Sequence, residues 1–553
     1  MLVNRRLFLQ SIGSTSVSQL FGIPFSGSES LQDHLSQITP INPLRNPKEH
    51  LKITGDNPHL AHQVLWDPTS YFKANPSKPL TSETTNVVVI GGGISGLSAA
   101  WHLREQHPIL LEQAPRFGGN AKGEMWHHTT YGLGAAYIVK PDENSDIHKL
   151  LNEIGALEKL RPAHLEVKTL FDNEPLKPFN QLLNESTSQQ KKAWQRLKSA
   201  LLHYANETEG KVFPEIPTDS VKHRQYINAL DQVSFRDHLL KLANGNLPSF
   251  IESYLEQYCW SAFGATMNEL SAASGINFLA GEFDDLLVGP GGNAWIAECL
   301  LRALFKTLPS SHFRTQSLVY SVEVIKDGVL INYLDVQGQA HQIKAKKVVM
   351  SCPKFVVKRI LKGIEVSRLE AIQKLEYRSY LVSNALISEP LKDDFYELYL
   401  LGKSSANVTL TTQQRSEMVG VTDVLYGHFA TPSDQQTVLT LYHPLPFTGG
   451  RPKVYGDMAL TTERKQVHTL LKEKVLPALN LKPTSLQGLR LSRWGHPLPV
   501  AKTGLISSGV IDQLRKPFKE RVFFAQQDNW ALPAIEVALY EGQWAAEMLN
   551  KKN

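Results

Sequence analysis

Residues 86–119 constrain this chain more than any other stretch. Four β-formers at 87–90 lead into Gly91-Gly92-Gly93-Ile94-Ser95-Gly96, a helical run follows over 97–106, and an apolar strand at 109–111 ends on Glu112. This is a strand, a glycine-rich turn, a helix and a second strand, with an acid twenty-one residues after the first glycine. It is the spacing of a dinucleotide site. Gly91 permits the tight turn out of the strand, Gly93 leaves room for a pyrophosphate against the backbone, and Gly96 lets the helix pack closely on the strand. The unpaired N–H groups at the helix start, around Ile94 and Ser95, face the phosphates with the positive end of the helix dipole behind them. Glu112, with Gln113 beside it, accepts hydrogen bonds from the adenosine ribose. A glycine turn alone would also suit a loop with no ligand. The flanking strand, helix and acid, all in register, decide for the dinucleotide.

A chain of 553 residues exceeds what one core supports, so two or more domains are expected. Its net charge of +5 arises from 58 basic and 53 acidic residues with no basic stripe, which does not suggest nucleic-acid binding. Cys259, Cys299 and Cys352 stand too far apart for a disulfide framework or a close metal-binding pair, and no metal is expected. The sequence has no run of about eighteen apolar residues, so no transmembrane helix is expected.

The N-terminal Asn4-Arg5-Arg6-Leu7-Phe8-Leu9-Gln10 resembles the twin-arginine export motif and precedes a weakly apolar Ser/Gly-rich run. Residues 1–28 read as a signal peptide, which implies passage through the twin-arginine translocon to a bacterial periplasm or beyond. Residues 29–85 carry seven prolines between positions 40 and 79, which predicts a mostly irregular lead-in with Trp66 and Tyr71 as buried anchors.

After Glu112 the chain reads Gln113-Ala114-Pro115-Arg116-Phe117-Gly118-Gly119-Asn120, and later Gly132-Leu133-Gly134-Ala135-Ala136-Tyr137 and Gly289-Pro290-Gly291-Gly292. Together these resemble the flavin-dependent amine oxidase superfamily. The resemblance implies FAD as cofactor, with Arg116, Gly118 and Gly119 along the pyrophosphate and Gly134, Ala135, Ala136 and Tyr137 beside the flavin ring. It also implies that the Val319 main chain pairs with adenine. Asn120 stands where the family often has arginine. Near the C-terminus, Phe523-Phe524-Ala525-Gln526-Gln527-Asp528 resembles the family's Phe-Ala-Gly-acid segment, so Asp528 is expected against the FAD ribityl or pyrophosphate. A helix from Pro533 would aim N–H groups near Ile535 at the flavin edge that gains charge on reduction.

The implied fold class is α/β: a discontinuous Rossmann-like FAD-binding domain of the amine oxidase type with an inserted α+β substrate domain. The FAD-binding segments fall at 86–141, 285–354 and 484–553. The substrate segments fall at 142–284, where helical periodicity predominates and Ser234 is a plausible N-cap, and at 355–483. Many amine oxidases place a lysine near 380–386; here Ser383 or Asn384 takes its place, which favours a dehydrogenase over an oxidase. Within the superfamily, the segments at 117–122, 292–297 and 492–496 resemble bacterial spermidine dehydrogenases, which also carry twin-arginine leaders. The chain has no Cys-x-x-Cys-His, and haem is not expected.

These features predict oxidation of a small amine, a polyamine among the options, by hydride transfer to FAD, with an electron acceptor left open. Trp494, His496 and Trp530 are the residues proposed for the flavin-facing pocket. Desaturase-like or protoporphyrinogen-oxidase-like flavoenzymes and a noncatalytic flavin-fold protein share the same motifs. A nicotinamide-only dehydrogenase would not need the segment at 116–119.

Overall fold

Two sheets and the helices packed on them shape the cavity in which the glycine turn sits. The computed structural model describes residues 31–44, 52–76, 79–163, 167–171, 176–245, 247–282, 286–392, 395–401 and 420–551. The twin-arginine motif lies outside the described residues.

The first sheet grows from Leu80–Ile90, which pairs in parallel with Ile109–Leu111 on one side and Ala340–Met350 on the other. Phe313–Arg314 extends it beyond Ile109–Leu111. Ala340–Met350 changes neighbours along its length. Its first half pairs antiparallel with Gly328–Leu334, and its last residues pair in parallel with Val522–Phe524. Alternate residues feed two cores. Val87, Val89, Leu110, Val349 and Phe523 pack under the helices Ile94–His102, Ala294–Phe305 and Ile535–Lys551. Val88, Ile90, Leu111, Met350 and Phe524 pack on the opposite face with the meander Leu318–Ile325, Gly328–Leu334 and Ala340–Met350. A sheet buried on both faces explains why its strands read as continuous apolar runs. The turns at 326–328, Lys-Asp-Gly, and 337–338, Gln-Gly, close the hairpins.

The second sheet has eight strands. Tyr377–Ile387, buried at every residue, runs antiparallel between Thr437–Leu445 and Leu486–Pro499. Asp423–Tyr426 and Glu397–Leu401 continue the sheet on the Thr437–Leu445 side. Five helices between Ser188 and Gly281 pack into one core beside it. Their starts are set locally: Thr187 and Gln190 form a reciprocal capping box, and Ser234 accepts the Asp237 N–H at 3.1 Å, as expected.

Two expectations change here. The lead-in is not mostly irregular: it contains the helices Leu31–Ile38, His59–Trp66 and Pro68–Ala74. Its prolines at 58 and 68 stand at helix starts, where a missing N–H costs nothing, and Asp67 caps the third helix through Ser70 N at 3.1 Å. Trp66 is not a buried anchor but is 44% exposed, with the Arg359 guanidinium 4.6 Å above its ring. The strand Leu486–Pro499, assigned from sequence to the third FAD-binding segment, is part of the second sheet, and the chain re-enters the first sheet at Val522. Alternating burial identifies a strand but carries no information about which sheet it joins.

Candidate active site

A cavity of about 1370 Å³ is walled by both sheets, the lead-in and the helical core. Gly91, Gly93, Ile94, Ser95, Glu112, Gln113, Arg116, Gly118, Gly119, Gly134, Ala135, Ala136, Tyr137, Val319, Ile535, Trp494 and His496 all line it. Gly96, Asp528 and Trp530 do not.

The glycine turn has the geometry that a phosphate cradle needs. Gly91 has φ +109°, a conformation that side chains rarely adopt. Gly96 acts through packing alone, because a Cβ there would run into Gly91 O and lie 3.3 Å from Ser351 Cβ. Gly93 is the N-cap of Ile94–His102 with no side-chain cap, so the first N–H groups of this helix stay available toward the cavity. Glu112 is pre-set: its Oε2 accepts the Gly92 N–H at 2.7 Å and its Oε1 the Ala114 N–H at 2.8 Å. The residues present therefore fit a dinucleotide. Arg116 contributes less directly, donating to Thr39 O at 3.0 Å and Asn42 Oδ1 at 2.7 Å, which ties the lead-in to the cradle. Sequence reasoning missed Lys122. It lines the cavity two residues beyond Asn120, and burial lowers its pKa against the pull of Glu112 and Asp56.

The C-terminal expectations need correction. Asp528 turns away from the cavity and accepts from Lys354 Nζ at 2.6 Å, Lys354 N at 2.7 Å and Tyr377 OH at 2.7 Å, all buried. Gln526 and Gln527 line the cavity instead. Gln526 Oε1 accepts the Asp528 N–H at 2.5 Å and Gln527 Nε2 donates to Pro497 O at 2.9 Å, which fixes the tight turn Gln527–Asn529. Trp530 is fully buried, donating to Glu541 Oε1 at 2.8 Å with Arg224 at 4.4 Å from its ring. Of the strand in which a family lysine was sought, Tyr380 and Val382 line the cavity. Asn384 instead donates to Gly132 O at 3.1 Å and accepts from Thr440 Oγ1 at 2.6 Å. Trp494 donates to Leu133 O at 2.8 Å and so holds the Gly134 segment. His496 is pushed down to about 3 by burial and by the charges of Arg451 and His62, so its imidazole is neutral.

Beyond Tyr137 the cavity holds a series of carboxylates that no sequence motif announced. Glu282, Glu397 and Glu536 line it, and Asp423 lies behind Glu397 on the adjacent strand. Burial raises Glu282 to about 7, against hydrogen bonds from Tyr137 and Tyr258 and with the help of Glu536. Burial, Asp423 and Glu282 raise Glu397, and burial raises Asp423 to about 7. Glu536 is raised by burial although its Oε1 accepts the Val139 N–H at 2.8 Å. None of the four makes an ion pair with a described lysine or arginine. The phenols of Tyr258, Tyr380, Tyr399 and Tyr442 surround them, all raised by burial and therefore neutral. Uncompensated carboxylates in a low-dielectric, aromatic-walled space make a cation site. The four come from a helix end, two strands and the C-terminal helix, so the sequence held no local signal of them.

Comparison with known proteins agrees with this geometry. A family model described as flavin containing amine oxidoreductase matches residues 94–526. Oxidoreductase PigB of a Serratia species is 23% identical over 533 residues, covering 87% of this chain and 77% of PigB. A flavin-containing amine oxidase of Oncorhynchus mykiss is 27% identical over 50% of this chain and 51% of its own. Among solved structures, putrescine oxidase bound to putrescine superimposes with a TM-score of 0.61 at 16% identity, covering 85% of this chain and all of that one. Cyclohexylamine oxidase from Brevibacterium oxydans gives 0.60 at 18% identity, covering 84% of this chain and 99% of its own. The chain belongs to the flavin containing amine oxidoreductase family and is an FAD-dependent oxidoreductase.

Proposed function

We propose that this protein is a dehydrogenase of di- or polyamines. The observation that carries this reading is the series Glu282, Glu397, Asp423 and Glu536, which makes no ion pair with a described lysine or arginine and is matched by a substrate bearing two or more ammonium groups. The putrescine bound by a structural relative is such a molecule. When bound, FAD would supply the two-electron acceptor for the hydride on the carbon beside the amine nitrogen.

The chain's own residues prepare that transfer. Glu112 would hold the ribose end and the Gly91–Gly96 turn with Lys122 the phosphates, while the Gly134–Tyr137 segment is fixed by Trp494 and by the Tyr442 hydroxyl on Gly134 O at 2.6 Å. Carboxylates spaced along the cavity fix the amine lengthwise, converting binding energy into orientation. A carboxylate raised to about 7, as Glu282 is, can accept a proton from an ammonium and leave the neutral amine that hydride loss requires. The buried phenols exclude water without competing for charge. Preference for a dehydrogenase rests on the absence of lysine from the strand segment 380–386, where many amine oxidases carry one and where Tyr380 and Val382 line the cavity.

A long apolar substrate, as in a desaturase, would leave four carboxylates buried against hydrocarbon, at several kcal/mol each if ionised. The test is a chain series with an artificial electron acceptor. A diamine should show kcat/KM at least about tenfold above the monoamine of equal length, and oxygen uptake should be slow beside dye reduction. Equal values for the two amines would refute cation recognition, and fast oxygen uptake would refute the dehydrogenase assignment. Export by the twin-arginine route is proposed from Arg5-Arg6 and the hydrophobic Phe8-Leu9. Replacing both arginines by lysine should leave the protein in the cytoplasm, and unchanged periplasmic delivery would rule that route out.

A further inference from the structure

Exposed residues line the cavity in several groups, three of which bear on what could enter it. One, at Gln113, Pro115, Gln316 and Val336, is the adenosine end beside Glu112 and Val319. A second, at Lys140, Asp142, Glu207 and Glu215, opens next to Phe213, which lies 3.7 Å from a Cβ placed on Gly281, the neighbour of Glu282. This acid-rich mouth suits the amine. The third, at Asn57, Leu60, His62 and Trp66, is accounted for by neither. We propose that this third mouth admits a neutral, flat electron acceptor of the quinone class.

Shape and charge both point to that occupant. The walls are Leu65, Val356 and Ile360 together with aromatic rings. His62 lies 4.8 Å from Trp66 and 5.7 Å from Tyr455, and Phe355 lies 4.4 Å from His496. Rings packed on one another in this way leave their outer faces for a planar ring to stack on. His496 and Trp494 are two residues apart in Leu486–Pro499 and both line the cavity. Trp494 Cε2 lies 3.7 Å from a Cβ placed on Gly134, which brings the inner end of the slot to the segment expected beside the flavin.

Arginines flank this mouth where acids flank the other. Arg359 lies 4.6 Å over Trp66, Arg493 lies 5.7 Å over Tyr455, and the charge of Arg451 acts on His496. They repel an ammonium and stabilise negative charge developing on an acceptor oxygen. Burial raises the pKa of Asp56, against the Gly495 N–H that it accepts at 2.7 Å and the charges of Lys122 and Arg493. Neither the His62 nor the His496 ring hydrogen-bonds to a described residue, so each neutral imidazole has an N–H free for a carbonyl. The net exchange balances. The amine loses a C–H hydride and an N–H proton to become an imine, and the quinone gains both to become a quinol.

The test uses holoprotein and a tailless dimethoxy-benzoquinone, with dithionite as reductant so that the result does not depend on the amine substrate. Equilibrium dialysis should show saturable quinone binding, weakened at least about tenfold in the double variant Leu60→Glu with Trp66→Ala. Trp66→Phe should retain binding within about threefold. Rapid-mixing reoxidation of the reduced double variant should slow about tenfold with quinone, while reoxidation by ferricyanide is unchanged. Absence of saturable binding to the unaltered protein, equal binding by the double variant, or equal slowing with both oxidants would overturn the proposal.

Discussion

Glu282 is the residue on which the substrate reading turns. Its folded-state pKa of about 7 exceeds the ordinary 4.5, so the empty protein prefers it protonated. Its contribution to stability is therefore complete below about pH 4.5 and is lost as pH rises through about 7. A bound ammonium reverses the preference, so diamine affinity should rise with pH across that range, and the thermal shift produced by a diamine should be larger near pH 8 than near pH 6. Glu282→Gln should weaken diamine binding by about tenfold or more and flatten that rise. An unchanged pH profile would show that Glu282 does not meet the substrate. At the cradle, Gly93→Val should give folded but colourless protein, because Gly93 faces the cavity with only Gly119 near its Cβ position, at 3.6 Å. Gly96→Val should instead fail to fold, since its side chain would strike the turn itself. Flavin content and circular dichroism separate the two outcomes. The glycine roles were legible in sequence because local backbone sterics fix them. The role given to Asp528 was not, because Gln526 caps the turn and brings Gln527 to the cavity one residue early.

At the scale of elements, the trio Lys354, Asp528 and Tyr377 joins three pieces distant in sequence. It links the start of Lys354–Ile360, the turn before the C-terminal helix and the first residue of Tyr377–Ile387. With Lys354 and Asp528 both 0% exposed, Lys354→Met should destabilise by about 3–5 kcal/mol by leaving a buried carboxylate without its partner. Tyr377→Phe, which removes one hydrogen bond to the same carboxylate, should cost about 1–3 kcal/mol. Thermal midpoints of the holoproteins would rank them, and an inverted order would mean that the ion pair is not the main link. Helices were readable from their caps, as Ser234 shows, and the meander from its turns. Sheet membership was not readable. The pairing of Leu486–Pro499 with Tyr377–Ile387 is a long-range choice made by packing. The lead-in misled for the opposite reason: prolines that break helices internally also start them.

At the scale of the molecule, the second sheet and the helical core build the amine end of a cavity whose cofactor end the first sheet supplies. Glu282, Glu397 and Glu536 reach one space, with Asp423 behind Glu397, from segments that are mostly far apart in sequence, which is why no spacing rule revealed them. The lead-in closes the remaining side, tied down by Arg116 and carrying Leu60 and Trp66 to the third mouth. Amine and acceptor would then use separate doors, one acidic and one ringed by arginine. The central claim is that this cavity oxidises a multiply charged amine at bound FAD. Its most direct test is anaerobic titration of the purified yellow protein with a diamine, following flavin absorbance. Bleaching complete near one equivalent is the expected result. Colourless protein, or a flavin spectrum left unchanged across a panel of amines, would contradict it.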